Sequence, residues 1–143
     1  MRLRLPLVFV LSLLAGCSVV EEISDERYQR NNSAGDRWLS DQFEAAAMDV
    51  SGTWFSTDWG IGSLRQTGRK VTGKLGGYKV TGVISGRRAY LLIADGDWYY
   101  YSAVLEMARP GQLKGRFSRM IPFVKTLSRT MVLESPEAAS SED

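Results

Sequence analysis

From Ser51 to Leu133 the chain alternates apolar and polar residues in short runs, and turn signals interrupt the runs: Asp58-Trp59-Gly60, Thr67-Gly68, Gly76-Gly77, Ser85-Gly86, Asp95-Gly96 and Pro110-Gly111. Turns recurring every 8–12 residues or so, between alternating runs, predict an all-β domain of antiparallel hairpins. Residues 51–133 hold about eight strand candidates, the last being LSRTMVLE, so the expectation is a small up-and-down meander barrel. The tetrapeptide Lys-Val-Thr-Gly occurs twice, at Lys70–Gly73 and Lys79–Gly82. With Gly76-Gly77 as a tight turn, Val71 faces Gly82, Gly73 faces Val80 and Thr72 faces Thr81. Each valine then covers a glycine, and the repeat reads as a device for bending a sheet rather than a ligand motif used twice.

Extending the pairing with Ser85-Gly86 and Asp95-Gly96 as two-residue turns gives one inward face. It carries Leu75, Tyr78, Ile84, Ala89, Leu91, Ile93, Trp98, Tyr100 and Val104. The other face presents a basic patch of Lys70, Lys74 and Lys79, with Lys74 directly across from Lys79. Further along it becomes apolar, with Val83, Tyr90, Leu92, Tyr99, Tyr101, Ala103 and Leu105. Such a face calls for a cover. A short amphipathic helix over 35–48, bearing Trp38, Leu39 and Phe43 and capped by Asp36, is the economical one. A partner protein on Tyr90, Tyr99 and Tyr101 is the other. Residues 17–34 are rich in charge and amides without sustained periodicity and read as a flexible tether, and 134–143 as a disordered acidic tail.

The N-terminal residues 1–16 place two arginines ahead of an apolar run, Leu5 to Leu14, and small residues ahead of Cys17. That run is half of the roughly 20 apolar residues needed to span a bilayer, so it reads as a secretory signal. Cys17 is the only cysteine and can form no internal disulfide. Leu14-Ala15-Gly16-Cys17 resembles the lipobox of bacterial lipoproteins. The resemblance implies a lipoprotein signal peptide over 1–16, cleaved before Cys17, and acyl chains on Cys17 that tether the chain to a membrane. In that family an aspartate after the cysteine commonly retains the protein at the inner membrane, so Ser18 implies the periplasmic face of the outer membrane.

Charge sharpens the picture. Residues 51–133 hold thirteen Lys and Arg against four Asp and Glu, whereas 18–50 hold three against eight. A basic barrel on a membrane anchor suits anionic lipid headgroups, and an exported, tethered chain gives no reason to expect nucleic acid. Gly52-Thr53-Trp54 on the first strand and Arg129 on the last resemble the lipocalin and avidin type of barrel. There a Gly-x-Trp packs at the closed end and a basic residue lies across the indole.

For catalysis the inventory is poor: there is no histidine, the one cysteine is assigned to lipid, and nothing has metal-ligand spacing. Asp95 and Asp97 flank Gly96 as turn residues do. The expectation is a non-enzyme with no catalytic residue, no metal and no cofactor. Its role would be to bind a small apolar or amphipathic ligand or lipid inside the barrel, with Trp54, Trp98, Tyr100 and Arg129 around it. The alternative is an envelope protein partner, the chain acting as an assembly factor or hydrolase inhibitor through its aromatic face or barrel-end loops.

Overall fold

The computed structural model describes residues 15–139, with side chains described over 25–137. The first fourteen residues of the expected signal sequence, the side chain of Cys17 and residues 140–143 lie outside the described residues. A helix, α1 (Ala15–Ser40), precedes eight strands: β1 (Gly52–Ser56), β2 (Gly60–Thr67), β3 (Lys70–Leu75), β4 (Tyr78–Ser85), β5 (Arg88–Asp95), β6 (Trp98–Arg109), β7 (Gln112–Ser118) and β8 (Ser128–Glu134). Every neighbouring pair is antiparallel, in chain order, and β8 returns to β1 through Phe55 and Glu134 to close the barrel. This is the meander barrel the turn spacing predicts, and it is consistent with a lipocalin or avidin type of fold.

The expected pairing at the repeat is present: Val71 opposes Gly82, Thr72 opposes Thr81, Gly73 opposes Val80 and Lys74 opposes Lys79. The next two turns lie one residue later than expected. Ser85 pairs with Arg88 and Asp95 with Trp98, so the turns are Gly86-Arg87 and Gly96-Asp97. In both, glycine takes the first central place with φ near +60°, as it does at Gly68 and Gly76. This is the type II′ arrangement, whose twist matches that of the flanking strands. A one-residue shift of a turn moves each cross-strand partner by two positions, so the inward face survives it.

One irregularity does reverse a face. Ile93 pairs with Tyr101 but Ala94 with Tyr99, leaving Tyr100 as the extra residue of a β-bulge. Beyond it the pattern on β6 is inverted. Tyr101, Ala103 and Leu105 belong to the barrel interior, not to the outer face expected for them, and Trp98 and Tyr100 lie outside against α1. The interior is filled by Val50, Trp54, Leu64, Val71, Leu75, Val80, Ile84, Leu91, Ile93, Leu105, Leu113, Met131 and Leu133, with smaller residues between them.

The helix is longer than expected and lies earlier in the chain. The tether expected over 17–34 is helical, and the helix expected over 35–48 stops at Ser40. Along its barrel side Tyr28, Asn32, Gly35 and Leu39 recur at helical spacing, but only Tyr28 and Leu39 carry a large apolar group. Asn32 is anchored by polar contacts, accepting from the Tyr99 amide at 2.9 Å and donating to the Asp97 carbonyl at 2.7 Å. At Gly35 a Cβ would come within 2.9 Å of Tyr99 and 3.0 Å of Leu92, so the helix seats there because that residue has no side chain. Asp36, expected as a cap, lies within the helix and accepts a hydrogen bond from the Tyr99 hydroxyl at 2.7 Å. At the other end of the chain Glu134 completes β8 and Pro136–Ala139 form a short helix within the stretch expected as a tail.

Burial, and then the Asp36 hydrogen bond, push the Tyr99 hydroxyl up to about 12. Below pH 10, the ordinary tyrosine value, folded and unfolded chains are equally protonated and its contribution is complete. Above it the unfolded chain releases this proton first, so stability falls as pH rises from about 10 toward 12. A phenolate absorbance titration is expected to show a last step near pH 12 that Tyr99→Phe removes; an unchanged last step in Tyr99→Phe would place that proton elsewhere.

Candidate functional site

The barrel has two unlike ends. At one end, where the β2–β3, β4–β5 and β6–β7 turns lie, residues 41–51 run across the opening. Ala47 donates to the Gly86 carbonyl at 2.8 Å and Gly86 to Ala45 at 3.1 Å. Gln66 ties the same segment from inside, accepting from the Val50 amide and donating to the Met48 carbonyl, both at 2.9 Å. Val50 is fully buried, and its carbonyl accepts the Trp54 indole N–H at 2.8 Å. Hydrogen bonds and apolar residues therefore seal this end. The Gly-x-Trp of the first strand sits there, as the barrel resemblance implies.

The opposite end is closed by rings. Trp59, from the β1–β2 connection, meets Tyr78 at the start of β4, Tyr101 on β6 and Phe117 on β7. All three contacts are edge-on, with centroids 5.1–5.4 Å apart. Tyr78 and Tyr101 also meet edge-on at 5.9 Å, as do Tyr101 and Phe117. Edge-to-face packing lets four rings fill a wide opening while satisfying their quadrupoles. Above them lies an open depression of about 670 Å³, rimmed by Asp58, Arg119, Met120, Leu127, Arg129 and Thr130. That volume is in the range of small-molecule sites, which pair an apolar floor with a few polar groups. The Tyr78 hydroxyl is held above its usual range, first by the neighbouring Tyr101 hydroxyl and then by burial. It therefore stays a neutral donor at physiological pH.

The residues expected to surround a ligand are dispersed. Trp54 is buried at the sealed end. Trp98 and Tyr100 lie outside the barrel around Tyr28 of α1, with centroids 5.5 and 5.7 Å away. Arg129 pairs with Phe117 near the start of β8, whereas it is Glu134, at the far end of β8, that pairs beside Trp54. Arg129 therefore rims the aromatic mouth instead of crossing the indole. Only Arg129 of the expected set belongs to the depression.

The expected partner face is also used internally. Trp38 packs edge-on against Tyr90 at 5.6 Å, Asp36 and Asn32 engage Tyr99, and Tyr101 points inward. The lysines of the basic patch, Lys70, Lys74 and Lys79, are exposed on β3 and β4. Trp59, Phe117 and Arg119 were contributors that sequence reasoning missed. Trp59 reads as a turn residue in Asp58-Trp59-Gly60, and Phe117 as one apolar position among many.

Among the described residues no group of three or more His, Cys, Asp or Glu side chains could hold a metal ion, and no helix is long and apolar enough to cross a membrane. No family model, curated protein or solved structure matches the chain.

Proposed function

We propose that this chain is a lipid-anchored, non-catalytic binding protein of a bacterial cell envelope, and that it takes a small amphipathic anion at its aromatic mouth. The carrying observation is the placement of Arg119 and Arg129 on the rim of a depression floored by Trp59, Tyr78, Tyr101 and Phe117. Rings offer apolar and π contact for a hydrocarbon or aromatic body, while guanidinium groups recognise a carboxylate or phosphate bidentately. The filled barrel core favours this mouth over an interior cavity for the ligand. Anchoring rests on Leu14-Ala15-Gly16-Cys17 and on the apolar run before it, and Ser18 favours the periplasmic face of the outer membrane.

Titration of the protein with lysophosphatidylglycerol and with a medium-chain fatty acid is expected to change tryptophan fluorescence, because Trp59 lies in the floor. Uncharged monoacylglycerol should bind about tenfold more weakly, the equivalent of about 1.4 kcal/mol for a lost ion contact. The double variant Arg119→Glu with Arg129→Glu should abolish the preference for the anionic probes. Silence from every amphiphile would retire the binding reading, and labelled palmitate that fails to enter at Cys17 would retire the anchor.

A further inference from the structure

Three features of the mouth end point the same way. The first is the course of α1. Tyr28 stacks on Trp98 and Asn32 holds Asp97, both at the mouth end, while Trp38 reaches Tyr90 toward the sealed end. Read backwards, the helix therefore leaves the barrel from the mouth end toward Cys17, about 16 Å beyond Tyr28 at 1.5 Å per helical residue. Whatever inserts the N-terminus into a membrane, acyl chains or the Leu5–Leu14 run, brings this end of the barrel toward it.

The second feature is the β7–β8 connection, 119–127, which reads RMIPFVKTL. Its Met120 is 47% exposed and Leu127 62%, and Ile61, at the same end of β2, is 69% exposed. Large apolar groups gathered in water mark a contact surface, and among the described residues these gather at the mouth, whereas Phe43, 80% exposed, stands singly in the segment across the sealed end. The connection is held in place: the Ser102 hydroxyl donates to the Met120 carbonyl at 2.7 Å and the Ser118 hydroxyl to the Leu127 carbonyl at 3.0 Å.

The third is charge. Arg119, Lys125 and Arg129 are exposed around the same connection, and no carboxylate among the described residues forms an ion pair with them. The acidic groups of this end, Asp58, Asp95 and Asp97, belong to the β1–β2 connection and to the β5–β6 hairpin, with Asp97 on the turn that α1 grips. Asp58 shares the rim of the depression with Arg119 and Arg129, and with Lys125 the β7–β8 side carries three cations to that one carboxylate.

We propose that the mouth end is a bilayer-contact face, on which the 119–127 connection settles into the headgroup zone of an anionic membrane. Met120 and Leu127 enter the upper acyl region, and Arg119, Lys125 and Arg129 meet lipid phosphates. Apolar tips ringed by cations are what an interfacial segment requires. The mouth then opens onto the membrane, which makes a membrane amphiphile the natural source of its ligand. This deepens the binding reading above and uses the anchor at Cys17 for orientation.

The test uses the mature lipidated protein in phosphatidylglycerol-containing vesicles whose acyl chains carry bromine. Leu127→Cys and, separately, Met120→Cys supply a thiol for an environment-sensitive fluorophore. Thr67→Cys, exposed at the sealed end, is the reference. Several-fold stronger quenching at 127 and 120 than at 67, weakened when the vesicles are made only of phosphatidylcholine, is the expected result. Equal quenching at both ends, or none at 127 and 120 with Cys17 acylated, overturns the contact face and leaves the anchor standing. The mass of the Cys17 peptide is read in the same preparation. Unacylated Cys17 retires the anchor reading instead, and the quenching pattern measured on vesicles with Cys17→Ser present still decides the contact face.

Discussion

Gly82→Val is expected to lower the thermal midpoint by about 12 °C, corresponding to about 3 kcal/mol at roughly 4 °C per kcal/mol for a domain of this size. Gly82 lies between Val71 on β3 and Leu91 on β5. A Cβ there would stand 2.3 Å from the Tyr90 carbonyl oxygen and 2.7 Å from Leu91 Cδ2. Excess volume in a core commonly costs about 1–3 kcal/mol because neighbouring side chains rotate away. Here the obstacle is the β5 backbone, which cannot rotate aside without carrying Leu91 and Ile93 out of the core. The cost is therefore set at the upper end. Lys79→Val, on the same strand but exposed and opposite Lys74, should leave the midpoint unchanged or raise it slightly, since it removes a like-charge pair. Melting curves by circular dichroism compare the two. A Gly82→Val chain that melts with the parent would undo the structural account of the Lys-Val-Thr-Gly repeat and reopen its reading as a duplicated ligand motif.

The barrel was legible because its evidence is local. Turn spacing, the Val-over-Gly pairing and period-2 alternation each depend on residues a few positions apart, and they agree with one another. The bulge at Tyr100 was not legible. WYYYSA offers large rings on both faces, so alternation there cannot show which parity faces the core. That ambiguity displaced Trp98 and Tyr100 from the expected ligand wall to the outside, and brought Tyr101 in. The helix was expected, but its reach back to Ala15 was missed for a related reason. Among its contact positions, Asn32 and Gly35 serve the interface through hydrogen bonds and lack of bulk, neither of which an apolar pattern reports. The candidate site needed both long-range closure and the bulge, since its rings come from the β1–β2 connection, β4, β6 and β7. The cations of the β7–β8 side were visible as composition, but their gathering around one opening follows from β8 returning beside β1.

Two tryptophans separate the site the alternation suggested from the site the folded chain presents. Trp59→Ala should cost about 2–3 kcal/mol, because it removes three edge-on ring contacts of roughly 0.5–1.5 kcal/mol each and the half-exposed position lets solvent fill part of the gap. It should also weaken calorimetric binding of lysophosphatidylglycerol by more than about tenfold, since the floor of the depression goes with it. Trp59→Phe keeps an edge-on ring and should recover most of both quantities. Trp98→Ala removes one stacked contact, with Tyr28 of α1, so it should cost about 1 kcal/mol in urea unfolding and leave the affinity as it was. The reverse outcome, binding lost in Trp98→Ala and kept in Trp59→Ala, would move the ligand away from the mouth to the cleft between α1 and β6. In that cleft Arg119 and Arg129 could not serve as its counter-ions, because both rim the opening over Trp59.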